Sequence, residues 1–185
     1  MEFMNVINTR HSVRDFKPDP IPEDILTEIL EAGRSAPSAQ NRQEWRYLVI
    51  QDKSRIELLS RHSGLIGLSN LYIRKAPCVI IACADTSKGI KLNNQDYYLV
   101  DTAISFQQMM LTAWNYGIGS CWLGAYNEGS VKKFLNLPKQ FRIVGISPFG
   151  YPAESITIYT KVLKKFAGSE KRLPLDKTVR FEEWK

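Results

Sequence analysis

Ile25, Leu26, Ile29 and Leu30 recur at helical spacing behind Pro22, Glu23 and Asp24. The pattern predicts a helix opening there, since proline is tolerated in a first turn and acids suit its positive end. Gly33 and Pro37 mark its end. Ahead of it, Phe3 to Thr9 reads as a short helix and Arg10 to Pro20 as an irregular loop. After the polar stretch Ser38 to Glu44, the run Trp45 to Gln51 reads as a strand. Asp52 can cap a helix through about Leu59. Arg61 to Lys75 keeps no period and reads as loop or broken helix. Beyond Pro77, CVIIACA is apolar without interruption, as in a strand buried on both faces.

Ser87 to Gln95 is polar and predicts a loop. Asp96 to Tyr116 is the strongest helix. Leu99, Ala103, Phe106, Met110 and Ala113 form one stripe, widened by Val100, Ile104, Leu111 and Trp114. So wide a stripe implies a helix largely buried, in part against another subunit, and Gly117 suits its C-terminal cap. Gly117 to Tyr126 reads as a strand running into a loop, Ser130 to Leu135 as a short helix closed by Pro138, and Arg142 to Ser147 as a strand stopped by Pro148. From Ala153 the chain is polar and extended. Leu175, Val179, Phe181 and Trp184 stand isolated in its last segment, which stays ordered only by packing on its own body or on a partner. Strands alternating with helices, without a repeat or linker, indicate a single α/β or α+β layer structure.

A length of 185 residues suits one such domain. The net charge of +6 fits an anionic partner such as a phosphorylated cofactor, a dinucleotide or nucleic acid, or simply a solvated basic surface. The basic residues are scattered, the densest group running from Lys161 through Arg172, and no nucleic-acid-binding module accompanies them. Cys78, Cys83 and Cys121 form no CxxC pair and read as small buried residues of a reducing compartment. Cys78 and Cys83, five apart on a strand, point to opposite faces. The first residues lack the apolar core of a signal peptide, and no apolar stretch reaches the ~20 residues of a membrane helix. A cytoplasmic protein without membrane or nucleic-acid partners is expected.

Hydrolytic equipment is missing from the sequence. His11 and His62 have no partner spacing for a metal, and no GxSxG or phosphate-cradling loop occurs. Gly117-Ile118-Gly119 begins like a dinucleotide fingerprint, but Trp122 stands where a third glycine belongs and a helix precedes it. Chemistry, if present, is carried by a cofactor. Four segments could hold one. Arg10-His11-Ser12-Val13-Arg14 gathers donors whose arginine forks suit a phosphate or carbonyl-rich edge, or form a basic surface loop. Pro37, Ser38, Gln40, Asn41 and Gln43 crowd donors and acceptors that match a heterocycle edge, or make a polar turn. Gly117 to Gly124 lets backbone approach a flat ring, or is a tight turn. Lys171-Arg172 pairs with a phosphate or is solvated tail.

In their order, R-H-S-V-R-x-F, A-P-S-x-x-N-x-Q-x-W, G-x-G-S-C-W-x-G, G-Y-P and K-R-x-P, these segments resemble the FMN-dependent nitroreductase family, from about Ile7 to Trp184. The resemblance implies an α+β fold: a central, mainly antiparallel sheet flanked by helices. It also implies an intertwined homodimer, residues from about 153 to 185 crossing to extend the partner's sheet. Two FMN molecules would sit between the subunits.

On that resemblance, Arg10, His11 and Ser12 bind the FMN phosphate, ribityl or pyrimidine side, and Arg14 approaches the N1–O2 edge, where charge develops on reduction. Pro37, Ser38, Gln40, Asn41 and Gln43 come from the other subunit. Cys121, Trp122, Leu123 and Gly124 lie along the ring, with a backbone N–H near N5. Arg172 and Lys171 hold the phosphate. The implied activity is NAD(P)H-dependent, ping-pong reduction of nitroaromatics, quinones or related small acceptors, with no metal and no obligate acid or base side chain. Enone reduction, dehalogenation, flavin breakdown and non-catalytic flavin binding are the alternatives. The sequence departs from the family pattern at Glu44, where a proline often stands, and at Glu170, which is basic in some relatives.

Overall fold

A computed structural model describes residues 1–64, 70–154, 157, 161 and 172–184. Among them, the uninterrupted run 78–85 forms the centre of the molecule. It is strand β2 (Cys78–Asp85), every residue of which is buried. β2 pairs antiparallel with β1 (Trp45–Ile50) on one side and with β6 (Phe141–Gly150) on the other. The two-residue strand β5 (Gly119–Ser120) continues the sheet, giving the order β1-β2-β6-β5. A bulge between Ala82 and Cys83 shifts the register to β6.

The side-chain period of two in β2 divides the core. Cys78, Ile80 and Ala82 face a cluster with Leu26 and Ile29 of α2 (Glu23–Arg34) and Phe106, Met109, Met110 and Ala113 of α4 (Tyr97–Asn115). Val79, Ile81 and Cys83 face Ile56 and Leu59 of α3 (Lys53–Ser63), Tyr72, Ile73 and Val131 of α5 (Glu128–Leu135). The two thiols thus point to opposite faces, and burial pushes both up to about 12. Each of these fully buried Ile, Leu or Phe side chains contributes about 1.5–3 kcal/mol relative to exposure, so the sheet sits between two helical layers that each stabilise it. α2 meets α4 at Gly33, where an added Cβ would lie 2.6 Å from Met109 Cγ, and Ser105 Oγ donates to Gly33 O at 2.6 Å.

Several expectations are corrected. The strand does not stop at Pro148 but runs through it to Gly150. Proline removes one donor, but the φ its ring fixes is compatible with extended backbone, and the buried Ser147 and Phe149 keep their register opposite Ile80 and Cys78. The segment 87–95 is not only loop: β3 (Lys91–Leu92) and β4 (Gln95–Asp96) form a hairpin. Its turn residues Asn93 and Asn94 have φ of 49° and 62°, the left-handed pair that a two-residue hairpin requires. Among its described residues, the aperiodic stretch 61–75 holds the end of α3 and a 3-10 turn, Leu71–Lys75, in keeping with a broken helix. Asp52 does cap α3, accepting from Arg55 N at 2.8 Å, and the helix runs a turn past Leu59 to Ser63. Of Gly117 to Tyr126 only Gly119–Ser120 is strand, and α5 opens two residues early because Asn127 caps it, accepting from Ser130 N at 2.9 Å.

The stripe of α4 is only partly buried within one chain. Leu99, Val100 and Ile104 are 44%, 40% and 41% exposed, whereas Asp101, Thr102 and Ser105 are buried. The inward face at the start of this helix is therefore polar, and its apolar residues there face outward. Short helix α1 (Phe3–Thr9) contributes further exposed apolar residues: Phe3, Met4 and Ile7.

By contacts the chain divides into two units, Met1–Ser155 and Ile156–Lys185. All the elements above belong to the first. In the second, helix α6 (Leu175–Thr178) is a single turn, and Leu173, Leu175, Phe181 and Trp184 are all exposed. No described helix is long and apolar enough to cross a membrane.

Candidate functional site

The segment after α1 is held against the sheet by backbone. Arg10 closes α1, its N–H donating to Val6 O at 3.0 Å. Ser12 forms a parallel bridge with Ser120, and Val13 N donates to Ser120 O at 2.9 Å. Gly119 is required at this crossing, because a Cβ there would lie 2.5 Å from Val13 Cγ2. Lys17 N then donates to Tyr151 O at 2.8 Å, and Ala153 N to Asp15 O at 2.9 Å. Val13 and Phe16 point into the core. Two of the sequence-predicted segments, 10–14 and 117–124, are thereby brought together beside β5.

Arg14 is half-buried, and its Nη1 is fully buried with no hydrogen-bond partner among the described residues. The guanidinium lies beside the Tyr72 hydroxyl, which donates to Cys121 Sγ at 3.5 Å. Burial drives the Tyr72 phenol well above its ordinary range; Cys121 adds to that shift and Arg14 opposes it. A buried cationic donor without an acceptor is costly, so this position fits an electron-rich group arriving from outside the chain. Sequence reasoning missed Tyr72 because it stands in the aperiodic stretch.

In the adjoining segment, Cys121 N donates to Ser147 Oγ at 3.1 Å and Leu123 N to Ile146 O at 2.8 Å. A ligand at this edge would therefore be met by the N–H groups of Trp122 and Gly124. The Trp122 ring packs against Phe106 at 5.2 Å and over Gly145, where a Cβ would come within 2.8 Å of it. Cys121 and Leu123 are buried and Gly124 is exposed. His11 is exposed, accepts from or donates to nothing in this group, and packs edge-on against Trp114 at 4.9 Å.

The polar loop between α2 and β1 is built differently. Gln40, Asn41 and Gln43 have φ of 55°, 54° and 51°, a left-handed conformation that costs about 1 kcal/mol or more for each non-glycine residue. The loop is held by local bonds: Gln43 N donates to Ser38 Oγ at 3.0 Å, and Gln43 Nε2 to Asn41 Oδ1 at 2.8 Å. Ala39 N donates to Asp101 Oδ2 of α4 at 3.1 Å. Pro37, Gln40, Asn41 and Gln43 are exposed and Ser38 is half-buried. Strain concentrated in an exposed polar loop is a mark of functional sites.

Within one chain these two groups stand apart. The loop feeds β1 at Trp45, opposite Ala84, whereas Ser120 of β5 pairs with Phe149, opposite Cys78. Three strand spacings separate them across the sheet, about 14 Å, and six residues along it, about 20 Å. A single small heterocycle cannot touch both in one copy. Of the predicted phosphate contacts, Arg172 is exposed in the second unit and Lys171 lies outside the described residues. A cleft of about 330 Å³ between α1, α2 and α4, lined by Met1, Phe3, Leu111 and Tyr116 among others, includes none of the predicted residues.

Comparison with known proteins supplies the context for this arrangement. A family model described as the Nitroreductase family matches residues 7–65 and 66–151. The chain is 27% identical to an NADH dehydrogenase of Thermus thermophilus, over 78% of this chain and 84% of that protein. It is also 27% identical to an NAD(P)H FMN reductase of Bacillus subtilis, over 83% and 67%. A nitroreductase family protein of Clostridium difficile superposes with a TM-score of 0.82 at 26% identity, each chain covered over 100% of its length.

Proposed function

The chain belongs to the nitroreductase family, and from that premise we propose an oxidoreductase that binds FMN non-covalently, takes electrons from NAD(P)H and reduces small nitroaromatic, quinone or related acceptors as a homodimer. The observation that carries this reading is the division of the candidate residues between opposite edges of one sheet. A second copy would bring a 38–43 loop to Arg14 and the 121–124 segment, which supports a cofactor shared between subunits.

Bound FMN would supply two-electron redox chemistry between a reduced nicotinamide and the acceptor, in alternating half-reactions. The protein's part is binding and electrostatics. Arg14 offers a buried cationic donor, Nη1, whose valence no described residue fills; directed at the N1–O2 edge of the ring, it would favour the reduced, anionic form. The N–H groups of Trp122 and Gly124 would meet the ring near N5. Ser38, Gln40, Asn41 and Gln43 of the facing subunit would pair with the pyrimidine edge and ribityl chain, and Arg10, Ser12, Lys171 and Arg172 with the phosphate end. The residues 153–185 would pack on the partner, covering Phe181 and Trp184. Three buried free thiols suit a reducing cytoplasm.

The test is the visible spectrum of the purified protein, followed by NAD(P)H without air. A flavin band near ~450 nm that bleaches on addition is expected. A colourless protein that cannot be reconstituted with FMN would overturn the reading. A turnover screen of nitroaromatics, quinones, enones and halophenols then identifies the acceptor class. In Arg14→Ala, reduction should slow more than FMN binding weakens; unchanged reduction with weaker binding would remove the electronic role of this residue.

A further inference from the structure

Glu44, the last residue before β1, is 0% exposed, and no other described residue donates a hydrogen bond to either of its carboxylate oxygens. A charged carboxylate in that position has no compensation for its lost hydration. A second buried acid stands beside it: Asp101 of α4, 3% exposed, is within hydrogen-bonding reach. Asp101 in turn accepts the Ala39 N–H at 3.1 Å. A negative charge on one of two carboxyls this close disfavours a charge on the other.

We propose that Glu44 is a positioning residue for the flavin: in its protonated form its carboxyl O–H donates a hydrogen bond to Asp101, and the pair pins the strained 38–43 loop to α4 through the Ala39 N–H. The inference rests on the flavin reading above, since that loop is the one assigned to the pyrimidine edge. It goes beyond that reading by assigning a role to two buried acids that touch no ligand.

The surroundings agree. Burial raises the Glu44 carboxyl above the ordinary carboxylate range, the bond from its own backbone N–H lowers it, Asp101 raises it, and the Arg42 charge on the same loop lowers it. Across the sheet edge, Asp85 donates its backbone N–H to Glu44 O at 2.9 Å but spends its carboxylate on Ser87. The cations near this loop are committed elsewhere: Arg42 Nη1 donates to Lys88 O at 3.0 Å, and Arg46 Nη1 to Gln43 O at 3.1 Å. Glu44 is therefore left with Asp101 as its partner. A group whose folded-state pKa is raised contributes its stability below the unfolded value, and that contribution is lost as pH rises through the folded value. Deprotonation would place two charges under the loop and release Ala39.

The experiment compares wild type, Glu44→Gln and Glu44→Ala as full-length protein. FMN affinity is read from flavin fluorescence, and Ala39 amide exchange is read in the FMN-free protein, both from about pH 5 to about pH 9. The glutamine keeps the donor and cannot ionise. Relative to that variant, which cancels the phosphate titration of FMN itself, wild type should lose affinity by up to about tenfold per pH unit above the Glu44 pKa. Ala39 exchange should accelerate in wild type beyond the rise seen in Glu44→Gln. Glu44→Ala should bind FMN at least about fivefold more weakly throughout, with Glu44→Gln restoring the wild-type value at low pH. If wild type and Glu44→Gln bind FMN with the same pH profile and exchange Ala39 alike, this proposal fails alone. If no variant binds FMN, the flavin reading fails and takes the proposal with it.

Discussion

The Tyr72 hydroxyl donates to the sulfur of Cys121 across 3.5 Å, joining the 3-10 turn after α3 to the segment that follows β5. The Arg14 guanidinium stands beside the same hydroxyl, so one phenol touches both residues that bracket the candidate ring site. Neither partner is satisfied by solvent, since Tyr72 and Cys121 are buried.

Tyr72→Phe keeps the ring and removes only that hydroxyl. The fold should survive, because the lost net bond is weak, about 1 kcal/mol. Arg14, however, loses the neighbour that fixes its direction. FMN affinity should fall by about fivefold, the equivalent of one such bond, as measured by flavin fluorescence titration. An FMN affinity equal to wild type would show that the phenol has no part in orienting Arg14.

Gly145 carries a steric prediction. A Cβ at that position would lie 2.8 Å from the Trp122 ring, a rigid neighbour already packed on Phe106. Gly145→Ala must push Trp122 away from the sheet, and overpacking of this kind costs about 1–3 kcal/mol. A lower melting temperature together with weaker FMN binding is expected, because Trp122 belongs to the 121–124 segment. A variant that melts and binds like wild type would mean that the ring relocates freely and does not define the site.

The elements whose residues carry their own local signal were legible before the structure. β2 announces itself by seven apolar residues in succession, α2 by its spacing behind Pro22, and α3 by the Asp52 cap. What was illegible depends on long-range packing. Pro148 looks like a strand end, yet buried partners hold it in register. Asn93-Asn94 did carry a hairpin signal, which the polar composition around it obscured. The candidate site was legible as four polar segments, but their division between opposite sheet edges follows from strand order, which no local pattern encodes. Tyr72 was missed because its stretch has no period, and Asp101 because the helix that carries it was read by its apolar stripe.

The Asp52 cap makes a pH prediction. Its carboxylate is held below the ordinary range, first by the Ser54 hydroxyl and then by the Arg55 N–H. A depressed carboxylate contributes stability above its unfolded pKa and loses it as pH falls through the folded value. Asparagine caps about as well as aspartate and does not titrate. Asp52→Asn should therefore melt like wild type near neutral pH and lose less stability in acid, with Asp52→Ala below both at neutral pH. Thermal melts from about pH 7 to about pH 2.5 read this, and parallel acid profiles for wild type and Asp52→Asn would show that the cap does not contribute to acid sensitivity.

The outward apolar face of α4 supports the last prediction. Leu99, Val100 and Ile104 are at least 40% exposed on the same helix whose inward face holds Asp101 and Phe106. A lone chain has no reason to place three consecutive-turn apolar residues in water while burying an acid beside them, whereas a second copy would bury that face. Ile104→Glu would put a charge at the centre of such an interface, where removing it from water costs several kcal/mol. Dimer affinity should fall by at least about 100-fold, or about 2.7 kcal/mol, in sedimentation measurements. On the proposed shared site, FMN should be lost in parallel. Leu58→Glu is the control: Leu58 is 44% exposed on α3, so the same charge there should leave both assembly and FMN content intact. Dimers of Ile104→Glu as tight as wild type would refute this face as the contact. Monomers that keep their full FMN content would refute the shared site itself, because one chain would then have bridged the 14 Å and 20 Å, estimated roughly from strand geometry, that separate its candidate residues.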